Sequence, residues 1–245
     1  MGAIETAASL CRRSAYTLED QQRMAAARNY FAWQARLVKP ELGRRVVEVG
    51  CGVGNFTGTM LDREAVLAID VEPECVEQIR RRYSEQANLR TLVCDVASPE
   101  FSALARFEPD SCVCLNVLEH IEDDGQAVRD MTSVLMPGGA LILLVPAFPA
   151  LYGSIDRNLG HHRRYTRADI ARLANAASLR VRKSHYVNLV GFFGWWTNSH
   201  IFRREAQSER QIEIFDRYLV PWISRLEHAA RPPFGQSLFA VLEKP

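Results

Sequence analysis

Two stretches of the chain concentrate residue types that can do chemistry. The first is VVEVGCGVGNFT, residues 46–57, in which an apolar run ends at Glu48 and glycines follow at Gly50, Gly52 and Gly54. Glycines so spaced permit a tight turn that a ligand can approach closely, at a helix start whose first N–H groups lack partners. Asp70 closes the next apolar run, where a carboxylate can accept both hydroxyls of a ribose. Asp95 closes the third, placed to accept from an adenine amino group. A dinucleotide turn would carry its third glycine at position 55, but that residue is Asn55, and Glu48 stands two residues before the first glycine. A carboxylate there disfavours a pyrophosphate and suits a ligand with an ammonium group.

The second stretch is LYGSIDRNLGHHRRYT, residues 151–166, which gathers Tyr152, Asp156, His161, His162, Arg163, Arg164 and Tyr165. Histidine is the side chain whose ordinary pKa suits proton transfer at neutral pH. His161 is therefore the first candidate for a base and His162 the second, with Arg163 or Arg164 orienting an anionic group through charge-assisted bonds. Tyr152 and Tyr165 are candidates for the same substrate pocket. A metal centre built from His161, His162 and Asp156 is not expected, because adjacent histidines rarely face one ion, and no metal is assigned. Glu119 and His120, in LEHI, invite an acid–base reading as well.

These groups need a scaffold. Apolar positions at helical spacing from Thr17 to Val38, with Thr17 and Asp20 resembling a capping box, predict a helix that Pro40 ends. Five short apolar runs then alternate with helix-sized segments: 45–49, 65–70, 89–94, 111–116 and 140–146. Runs that are apolar on both faces belong to a parallel sheet covered by helices on each side. Thr166 and Asp169 would cap a helix ending near Leu179, and strands follow at about 179–189 and 236–243. Between these last strands lies an aromatic block, Phe192 to Trp222, that includes Trp195 and Trp196. It is too long and too apolar for a linker. It reads as core, as the lid of an apolar acceptor pocket, or as a patch for a homodimer or a membrane surface. The expected division is a helical cap over 1–40, a cofactor-binding core over 41–150 and an acceptor-side region over 151–245 with a helical insertion at about 190–235, all in one domain.

The chain has 245 residues, 30 Lys+Arg against 29 Asp+Glu, and no apolar run long enough to span a bilayer. A disordered or polyanion-coating protein is excluded by that composition. The near-neutral total conceals a net charge of −6 over residues 1–150 and +7 over 151–245, which favours a cationic ligand in the first part and a neutral or anionic one in the second. Six Cys without CxxC pairing fit buried free thiols in a reducing cytoplasm, and Arg far exceeds Lys, as in GC-rich bacteria. Residues 1–6 fit a permissive myristoylation pattern that chance readily supplies.

Five segments resemble, in order and spacing, the class I S-adenosyl-L-methionine-dependent methyltransferases: VEVGCGVGNFT, LAIDVEP, CDVAS, LNVLEHIEDD and LMPGGALILLVP. The resemblance covers about residues 45–149. It implies an α/β fold, a Rossmann-like seven-stranded sheet of order 3-2-1-4-5-7-6, with S-adenosyl-L-methionine across the carboxyl ends of strands one to four. It places Gly50, Gly52 and Gly54 along the methionine part and Glu48 near its ammonium. Asp70 would take the ribose, Asp95 and Val96 the adenine, and Asn116 a strand-end contact, with Val71 a further cofactor-binding residue. Tyr30 and Trp33 of the preceding helix would cap the cofactor, and LEHI, with Glu119 and His120, would mostly pack beside it. The segment after the fifth strand resembles the GHxRRYT element of one bacterial branch. The family builds its acceptor pocket there, so Tyr152, Arg163, Arg164, Tyr165, Trp195 and Trp196 are the substrate-binding candidates.

The implied activity is O-, N- or C-methylation of a small, partly apolar metabolite, neutral or anionic, in the cytoplasm. Alternatives are another use of the sulfonium on the same fold and, less well supported, a nicotinamide-dependent dehydrogenase. A nucleic-acid acceptor is not expected, because no segment presents a flipped base and basic residues are not massed in a stripe. No stable membrane insertion is expected, and peripheral contact through the aromatic block stays open as one of its three readings.

Overall fold

A computed structural model describes residues 18–204, 206 and 208–245. Thr17, Cys11 and the pattern over residues 1–6 lie outside them.

The sheet has seven strands in the order β3-β2-β1-β4-β5-β7-β6. These are β1 (Arg45–Val49), β2 (Ala65–Asp70), β3 (Leu89–Val93), β4 (Ser111–Leu115), β5 (Ala140–Pro146), β6 (Arg180–Val187) and β7 (Ser237–Glu243). The first five run parallel, and β7 inserts antiparallel between β5 and β6. Strands β1, β2, β4 and β5 are buried nearly throughout because helices cover both faces. Strand β3 differs: it forms the sheet edge and leaves Leu92 and Val93 exposed.

Successive side chains of a strand point to opposite faces, so β1 feeds two cores. Val47 and Val49 join Leu67, Cys112 and Leu141 in the layer beneath helices α4 (Asp124–Val134) and α6 (Arg167–Ala176). Val46 joins Val66, Val113 and Ile142 in the opposite layer, together with Trp33 and Val38 of α2 (Arg28–Val38) and Ile223 of α9 (Val220–Ala229). Cys51, Cys75, Cys94, Cys112 and Cys114 are buried free thiols.

The single helix expected before β1 is broken. Helix α1 (Leu18–Met24) stops, and α2 (Arg28–Val38) starts after a turn at Ala25–Ala27. No side chain of its own caps α2. Instead the buried Asp216, from far down the chain, accepts the N–H groups of Asn29 and Tyr30 at 3.2 and 2.7 Å, an anion at a positive helix end. The glycine turn also departs from expectation, since only a four-residue 3-10 turn, Thr57–Met60, follows it. Helix α3 (Pro73–Arg82) follows β2, and the short α5 (Ser154–Asn158) opens the polar loop after β5.

Between β6 and β7 the aromatic block folds into α7 (Leu189–Trp196), extended by a π turn over Thr197–Ile201, then α8 (Glu209–Ile214), a second π turn over Phe215–Leu219, and α9 (Val220–Ala229). Glu227 of α9 accepts the N–H groups of Asn188 and Leu189 at the start of α7, which ties the two helices together.

Candidate functional site

The glycine turn sits at the carboxyl end of β1. Gly50, Gly52 and Gly54 all have positive φ, +73°, +52° and +80°, a region that side chains with a Cβ rarely enter. A Cβ on Gly50 would lie 2.3 Å from Val117 Cγ2. Asp70 joins the turn from β2: one carboxylate oxygen accepts the N–H of Gly52 at 2.8 Å and the other that of Glu72 at 3.0 Å. Gln21 of α1 closes over the turn, accepting from Val53 N–H through its side chain and from Asn55 Nδ2 through its backbone.

Glu48 lies buried beneath the turn and accepts the Thr57 hydroxyl at 2.6 Å. Burial, reinforced by the neighbouring Asp70, pushes its pKa up to about 8, against the opposing pull of the Thr57 bond. Burial also raises Asp70. Among the described residues no cationic side chain contributes to either shift. The turn therefore holds the Asp70 carboxylate and a Glu48 carboxyl that keeps its proton below about pH 8, with no cation of the protein's own to match them. An ammonium- and sulfonium-bearing cofactor fits this donor set; a pyrophosphate does not.

Along the same edge, Val71 is exposed beside Asp70, as is Val93 at the end of β3, an apolar ledge of the kind an adenine ring covers. Asp95 is exposed, with one carboxylate oxygen turned back to Ala97 N–H, and Val96 is buried beneath it. Asn116, exposed just beyond β4, holds φ +54° while its N–H donates to Leu144 O. The two capping aromatics divide. Tyr30 is half-buried, bonds Gln34 and Ser237 and feels the charge of Glu119. Trp33, expected at the cofactor, is 4% exposed and packs into the core layer of α2.

The loop after β5 is built around one carboxylate. Asp156 is fully buried, and its Oδ1 receives His161 Nδ1 and Arg164 Nε, both at 2.8 Å. Its Oδ2 accepts Gly153 N–H at 3.0 Å and Trp195 Nε1 at 3.1 Å. Arg164 also donates to Ala147 O and lies over the Trp195 ring, 4.7 Å from its centroid. The His161 backbone carbonyl accepts the Tyr152 hydroxyl at 2.7 Å. With Nδ1 taken by Asp156, Nε2 is the position at which His161 can exchange a proton.

His161 meets the segment after β4. Its ring stands edge-on to His120 at 4.7 Å between centroids. One ligand-type atom from each of Glu119, His120 and His161 falls within 4.8 Å of the others. Glu119 is buried, its Oε2 has no hydrogen-bond partner, and burial pushes its pKa up to about 7 against the pull of His161 and Arg164. His120 is pushed down to about 3, by burial first and then by His161 and His162. The residues set aside in the sequence as packing thus flank the candidate base. The convergent set is not the His161, His162 and Asp156 grouping that adjacency in the chain suggests. His162 is exposed, its N–H bonded to Glu119 O at 2.8 Å.

Several expected substrate contacts are engaged internally. Arg164 is 4% exposed and committed to Asp156, Ala147 and Trp195, so it organises the loop rather than meeting an anion. Arg163 pairs with Asp124 at 2.9 Å and donates to Glu122 O. Tyr165 is a core residue, 1% exposed, its hydroxyl shared between Asp124 and Leu118 O. Trp195 belongs to the Asp156 network. Trp196, about 100° further round the helix, is exposed and stacks on His200.

Comparison with known proteins agrees with this geometry. Residues 46–139 match a family described as a methyltransferase domain. A ubiquinone biosynthesis O-methyltransferase of Xanthomonas campestris is 35% identical over 113 residues, 44% of this chain and 45% of that protein, so the chain spans about half the length of such relatives. Among solved structures, the Haloferax volcanii complex of the Trm112 activator with a putative methyltransferase aligns with TM-score 0.63 at 18% identity, covering 93% of this chain and 94% of that one. The N-methyltransferase NodS of Bradyrhizobium japonicum, bound to S-adenosyl-L-homocysteine, aligns with TM-score 0.51 at 16% identity, covering 93% and 88%. At such identities the structures share the fold.

Proposed function

We propose that this chain, a member of the class I S-adenosyl-L-methionine-dependent methyltransferases, methylates a hydroxyl of a small, partly apolar acceptor, with His161 as base. The observation that carries the reading is the Asp156–His161 pair at 2.8 Å beside Glu119 and His120. When bound, S-adenosyl-L-methionine supplies an electrophilic methyl group open to in-line attack. Gly50, Gly52 and Gly54 give it a close backbone approach. Glu48 and Asp70 would match its positive charge and its ribose, and Val71, Asp95, Val96 and Asn116 would hold the rest of it at the strand ends. Tyr30 covers it from α2.

What remains for the protein is to align the acceptor and remove its proton. Asp156 fixes the His161 ring so that Nε2 faces the reacting region, and Tyr152 anchors the backbone behind it. Nε2 takes the hydroxyl proton as the oxygen gains its methyl group, with Asp156 stabilising the imidazolium. Glu119, held near its titration point at neutral pH, is suited to accept a hydrogen bond from the acceptor, and His162 stands at the mouth. The names of the O-methyltransferase relatives favour oxygen over nitrogen or carbon.

Calorimetry with S-adenosyl-L-homocysteine and with NADH tests the cofactor, and transfer of a labelled methyl group to a panel of phenols and other hydroxylated metabolites tests the reaction. The expected result is binding of the first ligand alone, lost in Asp70→Ala. Methylation should then be found among hydroxylated acceptors and be absent in His161→Ala. Binding of NADH instead, or full turnover in His161→Ala, would overturn the reading.

A further inference from the structure

The helical block between β6 and β7 has an inner and an outer side. Val220, Ile223 and Ser224 of α9 are buried, as are Trp195 and Ser199 along α7 and its π extension. The outer side is apolar where a water-facing helix would be polar. Tyr218, at the end of the second π turn, and Trp222 and Leu226 of α9 recur every four residues and are 59%, 67% and 69% exposed. Phe193, Ile201 and Phe202, on α7 and its end, are 56%, 58% and 61% exposed.

Charge follows the same rings. The guanidinium of Arg204 lies over Phe202 at 5.4 Å, that of Arg217 over Tyr218 at 5.5 Å and that of Arg225 over Trp222 at 5.9 Å. Two acidic residues of these segments are engaged elsewhere: Asp216 binds the start of α2 and Glu227 the start of α7. Glu209 and Glu213 lie on α8. Among the described residues, Tyr218 and α9 therefore present aromatic and aliphatic groups with arginines beside them, while the one carboxylate of α9, Glu227, is taken up by the start of α7.

We infer that this face seats on an anionic phospholipid bilayer surface, with the aromatic rings at headgroup level and the arginines against lipid phosphates. Amphipathic rings and guanidinium groups that extend from an apolar stem into a polar layer suit that boundary. A second copy of the chain suits it less, because a dry interface would bury these arginines while Asp216 and Glu227 are already engaged. Among the described residues no helix is long and apolar enough to cross a membrane, so the contact is peripheral.

Flotation with vesicles of phosphatidylcholine alone and of phosphatidylcholine mixed with phosphatidylglycerol tests this on the full chain, beside sedimentation velocity without lipid. The wild type should float with the mixed vesicles and not with the neutral ones. Arg217→Ala with Arg225→Ala should weaken binding about 30-fold, from about 1 kcal/mol per basic residue at an anionic surface. Trp222→Ser with Leu226→Ser should abolish flotation while binding of S-adenosyl-L-homocysteine persists, which shows that the fold is retained. The inference fails if the wild type does not float, if it floats equally with neutral vesicles, or if a lipid-free dimer forms that Trp222→Ser dissociates.

Discussion

Asp156 and His161 lie five residues apart in one loop, and the carboxylate of the first, wholly buried, holds Nδ1 of the second at 2.8 Å. This one bond fixes the imidazole's orientation and leaves Nε2 as its exchangeable site. The same carboxylate oxygen also receives Arg164, so the position of the candidate base and the integrity of the loop depend on one residue.

His161→Ala and Asp156→Asn should therefore differ. Loss of the imidazole should lower turnover about 10²- to 10⁴-fold, the usual contribution of a positioned base, with cofactor affinity nearly unchanged and a loss of about 1–3 kcal/mol of stability from the missing bond to buried Asp156. Asp156→Asn should lower turnover and also destabilise the fold by about 3–5 kcal/mol, because it leaves the buried Arg164 charge without its partner. Single-turnover kinetics and thermal unfolding on the two variants separate these effects.

Binding of S-adenosyl-L-homocysteine should strengthen as pH rises toward 8. Burial raises Glu48 to about 8, so below that pH the carboxyl must lose a proton before it can meet the ligand's ammonium. Apparent affinity should rise by up to about tenfold per pH unit below 8, with a proton released on binding. In Glu48→Gln both the slope and the release should vanish, as calorimetry in buffers of different ionisation enthalpy will show. For the ligand-free protein the sign reverses. A carboxyl with a raised folded pKa stabilises the fold fully below its unfolded value, near 4.5, and that stability is lost as pH climbs through about 8.

Gly50→Ala should lose cofactor binding. Its φ of +73° and the 2.3 Å approach to Val117 force the turn to shift, at a cost of about 1–3 kcal/mol. A titration showing wild-type affinity would count against the glycine turn as the cofactor's cradle.

Tyr165→Phe separates core from pocket. Among the described residues its hydroxyl bonds Asp124, Leu118 O and Arg163, so the variant should lose about 1 kcal/mol of stability and keep its KM. A raised KM with unchanged unfolding would return Tyr165 to the substrate pocket.

The glycine turn, Glu48, Asp70 and Asp95 were legible in the chain because a strand end and the turn after it are local. Five apolar runs separated by helix-sized gaps leave few ways to make a covered parallel sheet, and the structure has the strand order that the resemblance implied. The short 3-10 turn after Gly54 and the break between α1 and α2 were not legible. Helical spacing continues through Ala25–Ala27, and it is Asp216, almost two hundred residues away, that starts the second helix.

Residue types and spacing by themselves determined that a cationic, adenosine-bearing ligand suits the first half and that the loop after β5 carries acid–base groups. Tertiary structure alone decided which groups meet. Glu119 and His120 leave β4, His161 leaves β5, and only the parallel pairing of those strands brings them within 4.8 Å. Likewise Trp195 and Trp196 are equivalent in composition, but a helix turns about 100° per residue. Packing of α7 against the loop sends the first to Asp156 and leaves the second outside. A chain specifies such choices through contacts between distant segments, whose free energies appear only once the sheet has brought those segments together.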